Sequence, residues 1–208
     1  MLLRVPLIIL FLSAFTIAHS QVGVGLTVSN DLYNVYNNPI DVEDIHRRNG
    51  SALLSLGLGP KIWLGAKDLS FSLESTANLS PLGLALKDYK GLGAVSFPIL
   101  AKINFKGLSG FNKLTGIGYS IGGGIQYSRT ELFGLDDEFA MRGVQRDFFR
   151  TYNVQVAAGL GLTGFSGYAF FRYGFNPDLD GANNFHFGLQ FDFNFIELKK
   201  IHKPESAL

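Results

Sequence analysis

The sequence predicts an all-β chain, an eight-stranded antiparallel up-and-down transmembrane β-barrel, on three observations. From Phe185 to Phe195 every odd position is large and apolar, and every even position is polar or glycine. Successive strand side chains point to opposite faces, so this stretch has one greasy face and one wet face. The same period of two recurs in seven earlier segments, and the connections between segments alternate short and long.

The segments run in order. The first, about 22–29, sets Val22, Val24, Leu26 and Val28 against Gly23, Gly25, Thr27 and Ser29. The second, about 52–65, sets Leu54, Leu56, Leu58, Ile62 and Leu64 against Ser55, Gly57, Gly59 and Lys61. The third, about 69–79, sets Leu69, Phe71 and Leu73 against Ser70, Ser72, Glu74 and Asn78. The fourth, about 94–106, sets Val95, Phe97, Ile99 and Ile103 against Ser96, Lys102 and Asn104. The fifth, about 115–128, sets Ile117, Tyr119, Ile121 and Ile125 against Ser120, Gly122 and Gln126. The sixth, about 150–163, sets Tyr152, Val154, Val156 and Leu160 against Asn153, Gln155 and Gly159. The seventh, about 167–176, sets Phe171, Tyr173 and Phe175 against Arg172 and Gly174, and the eighth is about 184–196.

No residue assigned to the apolar phase is charged, and Lys61, Glu74, Lys102, Arg172 and Asp192 fall in the other. A Lys or Arg on the lipid face at mid-bilayer costs roughly 2–4 kcal/mol, which explains the separation. A soluble lipocalin-like barrel needs the reverse order, apolar inside and polar outside. The wet phase here is rich in small residues and poor in charge, which suits a narrow lumen better than a soluble surface.

Short connections fall near 66–68 and 164–167, a moderate one at 107–113, and longer ones near 30–51, 80–93 and 129–149. An even strand number returns both termini to the short-turn side, and short turns opposite long loops are the outer-membrane barrel pattern. Pro60 and Pro98 lie inside segments, where each implies a bulge, a break or a slip of register. Trp63, Leu100 and Phe170 fall in the inner phase, as lumen packing or as a sign of that slip.

The ends of the chain add a route. Met1–Arg4 is weakly positive, Val5–Ala18 is apolar, and Ala18-His19-Ser20 puts small residues where a signal peptidase reads. The expectation is a signal peptide over 1–20 cleaved before Gln21, a barrel over 21–196 and a periplasmic tail over 197–208. The apolar run is shorter than the ~20 residues a spanning helix needs. The chain has 208 residues, a formal net charge of +1 and no cysteine. That balance gives no field for nucleic acid, and thiolate metal sites and cysteine nucleophiles are excluded.

The last strand resembles the C-terminal assembly signal of the small outer-membrane β-barrel (porin-like) proteins of Gram-negative bacteria. The motif is His186, Gly188, Phe191 and Phe193: a polar residue, a glycine, then two alternating aromatics. The resemblance implies recognition of these residues by the barrel-assembly machinery. Such proteins often end on the final aromatic, whereas here Glu197–Leu208 follow. The Gln21 start resembles exported Bacteroidetes proteins.

Candidate chemistry divides into a few groups. Lys61 and Glu74 flank the first short turn as expected diagonal neighbours, Lys102 lies one strand on, and Arg172 and Asp192 lie on paired strands. They read as a polar network filling the lumen, with a selectivity ring as the alternative, because an eight-strand interior is just wide enough for side chains. His186, with Ser29 and Asp31 near it by barrel closure, is the best candidate for a lipid-modifying hydrolase, but no recognisable active-site motif surrounds it. Asp178–Asn183 reads as an Asp-Gly hairpin rather than a calcium loop. Asp41, Glu43, Asp44, Asp136, Asp137 and Glu138 read as solvated loop charge rather than cation ligands. Tyr127, Tyr152, Tyr173 and Phe185 at one end, and Phe71, Phe105, Phe193 and Phe195 at the other, read as two aromatic girdles.

The expected function is non-enzymatic, without cofactor or metal. It is a structural or interaction barrel contacting outer-membrane lipids, with partners met through its long loops. The alternatives are a narrow passive channel, a lipid-modifying hydrolase, or an accessory of a secretion apparatus.

Overall fold

The computed structural model describes residues 20–38, 47–85, 92–112, 115–133, 148–178 and 181–202. Its strands are β1 (Gln21–Asn38), β2 (Arg47–Gly65), β3 (Leu69–Ser75), β4 (Ala77–Ala85), β5 (Leu92–Lys106), β6 (Gly116–Phe133), β7 (Phe149–Leu162), β8 (Phe165–Phe175) and β9 (Asn183–Asn194). A short helix, α1, follows over Phe195–His202. Every neighbouring pair is antiparallel, and β1 pairs with both β2 and β9, so the sheet closes. β3 and β4 are two halves of one stave, each lying between β2 and β5, so the barrel has eight staves.

The expected apolar and polar phases sort outside and inside. Ile117 and Leu160 are 61% and 55% exposed, whereas Lys61 and Lys102 are each 1% exposed. This inverts the order of a water-soluble barrel.

Each proline brings the expected local break on one side only, with no slip of register. Pairing runs unbroken on the other side, with Leu26 opposite Pro60 and Pro98 opposite Gln126, and lapses toward the stave between them, which is interrupted at Thr76. Thr76 donates its N–H to the Pro98 carbonyl at 3.2 Å, and Pro98 has no N–H to return. Pro60 stands opposite the same junction from the other side, between Lys61, paired with Glu74, and Leu58, paired with Ala77.

A second correction concerns length. The strands run well into stretches read as loops, and the β1–β2 ladder continues to Asn38 opposite Arg47. Here β1 carries a bulge between Asp31 and Tyr33. The extra residue flips the phase, so Asp31 and Asn34 both face inward and Tyr36 follows them into the lumen. No alternation of two reveals that shift in advance.

The short-turn mouth is closed by the β5–β6 connection. After Lys106 the chain makes one 3-10 turn over Gly107–Ser109 and folds back into the lumen. Leu108 packs in a buried cluster with Ala157, Tyr168 and Phe170, and Phe111 is also buried. Ser70 Oγ donates to the Ser109 carbonyl at 2.7 Å, and Ser109 Oγ donates to the Lys67 carbonyl at 2.5 Å. Gly110 has φ 81°, and a Cβ there would lie 3.0 Å from Trp63 Nε1. Left-handed backbone and close approach both require glycine at this point.

Asn194 ends β9 and starts α1. Its Oδ1 accepts the Ile196 N–H at 3.2 Å, an N-cap, and its Nδ2 donates to the Gly110 carbonyl at 3.0 Å. One side chain thus stops the last strand, caps the helix and ties down the plug turn. Phe195, expected on the last strand, instead opens α1 and is 43% exposed.

Candidate functional site: a filled lumen in two layers

The layer nearer the short turns is ionic. Lys61 Nζ lies 2.7 Å from Asp192 Oδ2 and 2.8 Å from Glu74 Oε2. Lys102 forms an ion pair with the other Glu74 oxygen. Glu74 is therefore the hub between two lysines on neighbouring staves. Lys61 and Glu74 stand directly opposite one another rather than diagonally, while Lys102, opposite Ser72, takes the diagonal place.

Neutral groups complete this layer. Tyr168 OH donates to Asp192 Oδ2 at 2.9 Å. Gln190 Nε2 lies 2.6 Å from Thr27 Oγ1, near both Glu74 oxygens, and its Oε1 accepts from Lys102 at 3.3 Å. Lys61 also sits over the Trp63 ring at 5.3 Å. Two cations and two anions, all buried, leave no net charge with which to select an ion. Groups from β1, β2, β3, β5, β8 and β9 converge here, so the network crosses the barrel from wall to wall.

The layer nearer the long loops is built of amides. His186 Nδ1 lies 2.7 Å from Asp31 Oδ2, and His186 Nε2 lies 3.3 Å from the Gln126 amide nitrogen. With the amide as donor, Nε2 accepts and Nδ1–H donates to Asp31, so the two partners together select the tautomer. Gln126 Oε1 accepts from Arg172 Nη1 at 3.2 Å and from Asn153 at 3.3 Å. Arg172 Nε donates to Gln155 Oε1 at 2.8 Å. The Tyr36 ring stands edge-on to His186 at 5.1 Å and to Phe149 at 6.5 Å, and these two aromatics with Ala94 form a buried cluster above the layer.

The expected network of five therefore divides. Lys61, Glu74, Lys102 and Asp192 come together, whereas Arg172 stands opposite His186 and Asp192 opposite Ser166. Among the described residues, Arg172 is held by amide oxygens and by no carboxylate.

The His186 constellation is half formed. Asp31 orients the imidazole, but Ser29 Oγ bonds to Asn78 Oδ1 at 3.4 Å. Among the described residues no hydroxyl meets His186 Nε2. The imidazole is fully buried with both nitrogens engaged, so the expected serine, histidine and acid are not assembled as a set among the described residues.

The remaining motif residues lie as follows. In the last strand His186 and Gly188 face inward, and Phe191 and Phe193 face outward. Gly188 has a packing reason of its own, because a Cβ would stand 2.9 Å from the Phe170 ring and 2.4 Å from the Asn30 carbonyl. Tyr127, Tyr152, Tyr173, Phe71 and Phe105 are exposed on the outer face. Phe185 is partly covered by Phe171 at 4.5 Å, and Phe193 by Phe165 at 5.3 Å. Asp178 bonds to Arg150 at 3.2 Å. Residues 1–19, both acidic loop clusters, Leu179 and Asp180 lie outside the described residues. Among the described residues no helix is long and apolar enough to cross a membrane, which leaves strands untouched as a means of crossing.

Three groups escaped sequence reasoning. The plug turn carried a signal, apolar Leu108 and Phe111 set among Gly107, Ser109 and Gly110. Tyr168 is an inner-phase aromatic whose hydroxyl needs a buried acceptor. Asn34 and Tyr36 were hidden by the bulge.

No protein-family model matches this chain, and no curated protein matches it. Among solved structures, it is similar to the outer membrane protein OprG from Pseudomonas aeruginosa. That likeness has 11% sequence identity and a TM-score of 0.39, covering 84% of this chain and 95% of that one.

Proposed function

We propose that this protein is an outer-membrane β-barrel with a structural or interaction role, whose lumen is closed by its own side chains. The observation that carries the proposal is the neutral, wall-to-wall ionic layer backed by the plug turn. Lys61, Glu74, Lys102 and Asp192 are all buried and paired, and Leu108 and Phe111 lie beneath them. A structure whose outer face is apolar and whose interior is charged is stable where the outside is lipid. Barrel closure then satisfies every strand edge, as hydrocarbon demands.

With the termini and short turns on the periplasmic side, the long loops face outward and carry any partner contact. Residues 1–20 are removed on export, and β1 starting at Gln21 is consistent with cleavage there. The His186, Gly188, Phe191 and Phe193 pattern serves the assembly machinery. A passive channel is the second reading. The less satisfied amide layer favours it, but the ionic layer and the plug turn stand in series with any such path.

The reading is tested by fractionation. The protein should sediment with outer membrane, migrate faster on gels before boiling than after, and have an intact mass beginning at Gln21. Liposomes carrying it should not swell in small sugars. Recovery from the soluble periplasm would contradict the location, and sugar-permeable liposomes would contradict the closed lumen.

A further inference from the structure

Two arginines interrupt the apolar outer wall toward the long loops. Among the outward-phase strand residues with described side chains, Arg129 on β6 and Arg150 on β7 are the charged ones. Each follows an apolar run of the same length, Ile117 to Tyr127 on β6 and Leu162 to Tyr152 on β7. Ten residues of strand rise about 33 Å, or about 25 Å along the membrane normal at a tilt of roughly 40°. Each arginine is therefore the first outward residue past the hydrocarbon, just beyond a tyrosine, on the long-loop side.

The two arginines form a pair. Tyr127 stands opposite Arg150, so Arg129, two residues further along, is the diagonal neighbour of Arg150. Diagonal Cα atoms are about 7–8 Å apart, within reach of two long side chains gripping one anion. The Nε of each is buried and has no hydrogen-bond partner among the described residues. One Arg150 nitrogen meets Asp178 at 3.2 Å, but that pair is open to solvent, 41% and 73% exposed, and such a pair is weak. Below the arginines lies an aromatic ledge. The Arg150 guanidinium sits 5.0 Å over the Tyr152 ring, Phe97 stands opposite Tyr127, and exposed Phe148 lies 5.9 Å from Phe97.

We propose that Arg129 and Arg150 bind the phosphate of an outer-leaflet phosphorylated glycolipid of the lipid A type, with its sugar and first acyl carbons on the aromatic ledge. The inference rests on the outward orientation of the long loops. A phosphate monoester carries about −1.5 to −2 charge at neutral pH, which matches two guanidinium groups. A phospholipid headgroup diester brings one negative charge. Paired charge-assisted hydrogen bonds give the site its affinity and its geometry.

The test compares the full-length folded protein with Arg129→Gln/Arg150→Gln in phosphatidylcholine nanodiscs. Retained lipid is counted by native mass spectrometry with three probes: diphosphoryl lipid A, the same lipid dephosphorylated, and phosphatidylglycerol. The wild type should prefer diphosphoryl over dephosphorylated lipid A by about tenfold or more, and the glutamine pair should lose that preference. Arg129→Lys/Arg150→Lys keeps the charge without the bidentate geometry and should retain a weakened preference. Phosphatidylglycerol retention should not depend on the pair. Equal lipid A retention by wild type and the glutamine pair, or by both lipid A forms, overturns the site. An equal arginine dependence for phosphatidylglycerol overturns the glycolipid assignment. Gel mobility before and after boiling verifies that each variant is folded. Failure of the wild type to fractionate with outer membrane would sink the functional reading, while the nanodisc comparison still judges the site.

Discussion

The two layers of the lumen differ in how completely their polar groups are satisfied. In the ionic layer every charged group has a charged partner, Glu74 and Asp192 are further bonded by Gln190 and Tyr168, and Trp63 Nε1 alone is buried without a partner among the described residues of that layer. In the amide layer Asp31 Oδ1, Asn34 Oδ1, Asn153 Oδ1, Gln155 Nε2 and Asn184 Oδ1 are buried without a partner among the described residues. A satisfied network specifies one arrangement, whereas a partly satisfied one needs water to complete it. The ionic layer thus behaves as a bolt and the amide layer as wet packing. Asn153 and Asn184 make the contrast concrete, because both oxygens crowd the surface of Gly174.

The sharpest way to break this comparison is to remove the hub. Glu74→Ala leaves two buried lysines with one acid between them and should destabilise the barrel by about 3–5 kcal/mol. Thermal unfolding in detergent reads this directly, and a change under 1 kcal/mol would place the bolt elsewhere. Phe191→Asp adds a charge to the apolar outer face, which on the proposed membrane location costs up to about 2–4 kcal/mol at mid-bilayer and less for an acid than for Lys or Arg. Reduced outer-membrane accumulation of the heat-modifiable form is the expected outcome, and wild-type levels would count against the assigned strand phase.

In the amide layer the effects should be smaller. His186→Ala removes the hydrogen-bond partner that buried Asp31 has among the described residues, but water can enter the space left by the ring and solvate the carboxylate, so the cost should be about 1–3 kcal/mol, measured by the same unfolding assay. A loss equal to that of Glu74→Ala would erase the distinction between the layers. Asn34→Ala, which removes a side chain with one oxygen already unpartnered, should change stability by less than about 1 kcal/mol. A larger loss would mean that bridging water makes Asn34 a full member of the network.

Most of the architecture was legible because alternation reports the face of each residue. The separation of Lys61, Glu74 and Lys102 from Ile62, Leu73 and Ile103 followed from it directly. Height and register were not legible, since period two says nothing of which rung faces which. Alternation alone therefore puts Arg172 with Asp192, from which the register separates it. The bulge at Leu32 and the Thr76 junction are ladder properties, created by neighbours rather than by the strand itself. The plug turn was missed because a connection with buried apolar residues looks like any turn until the mouth it fills is known.

The most direct measurement is single-channel current through wild-type protein reconstituted in planar bilayers. The account predicts no resolvable conductance in the folded, heat-modifiable protein, because the Glu74 network and the Leu108–Phe111 turn lie in series across a narrow lumen. A stable, open, ion-selective wild-type pore would contradict it and make the protein a channel.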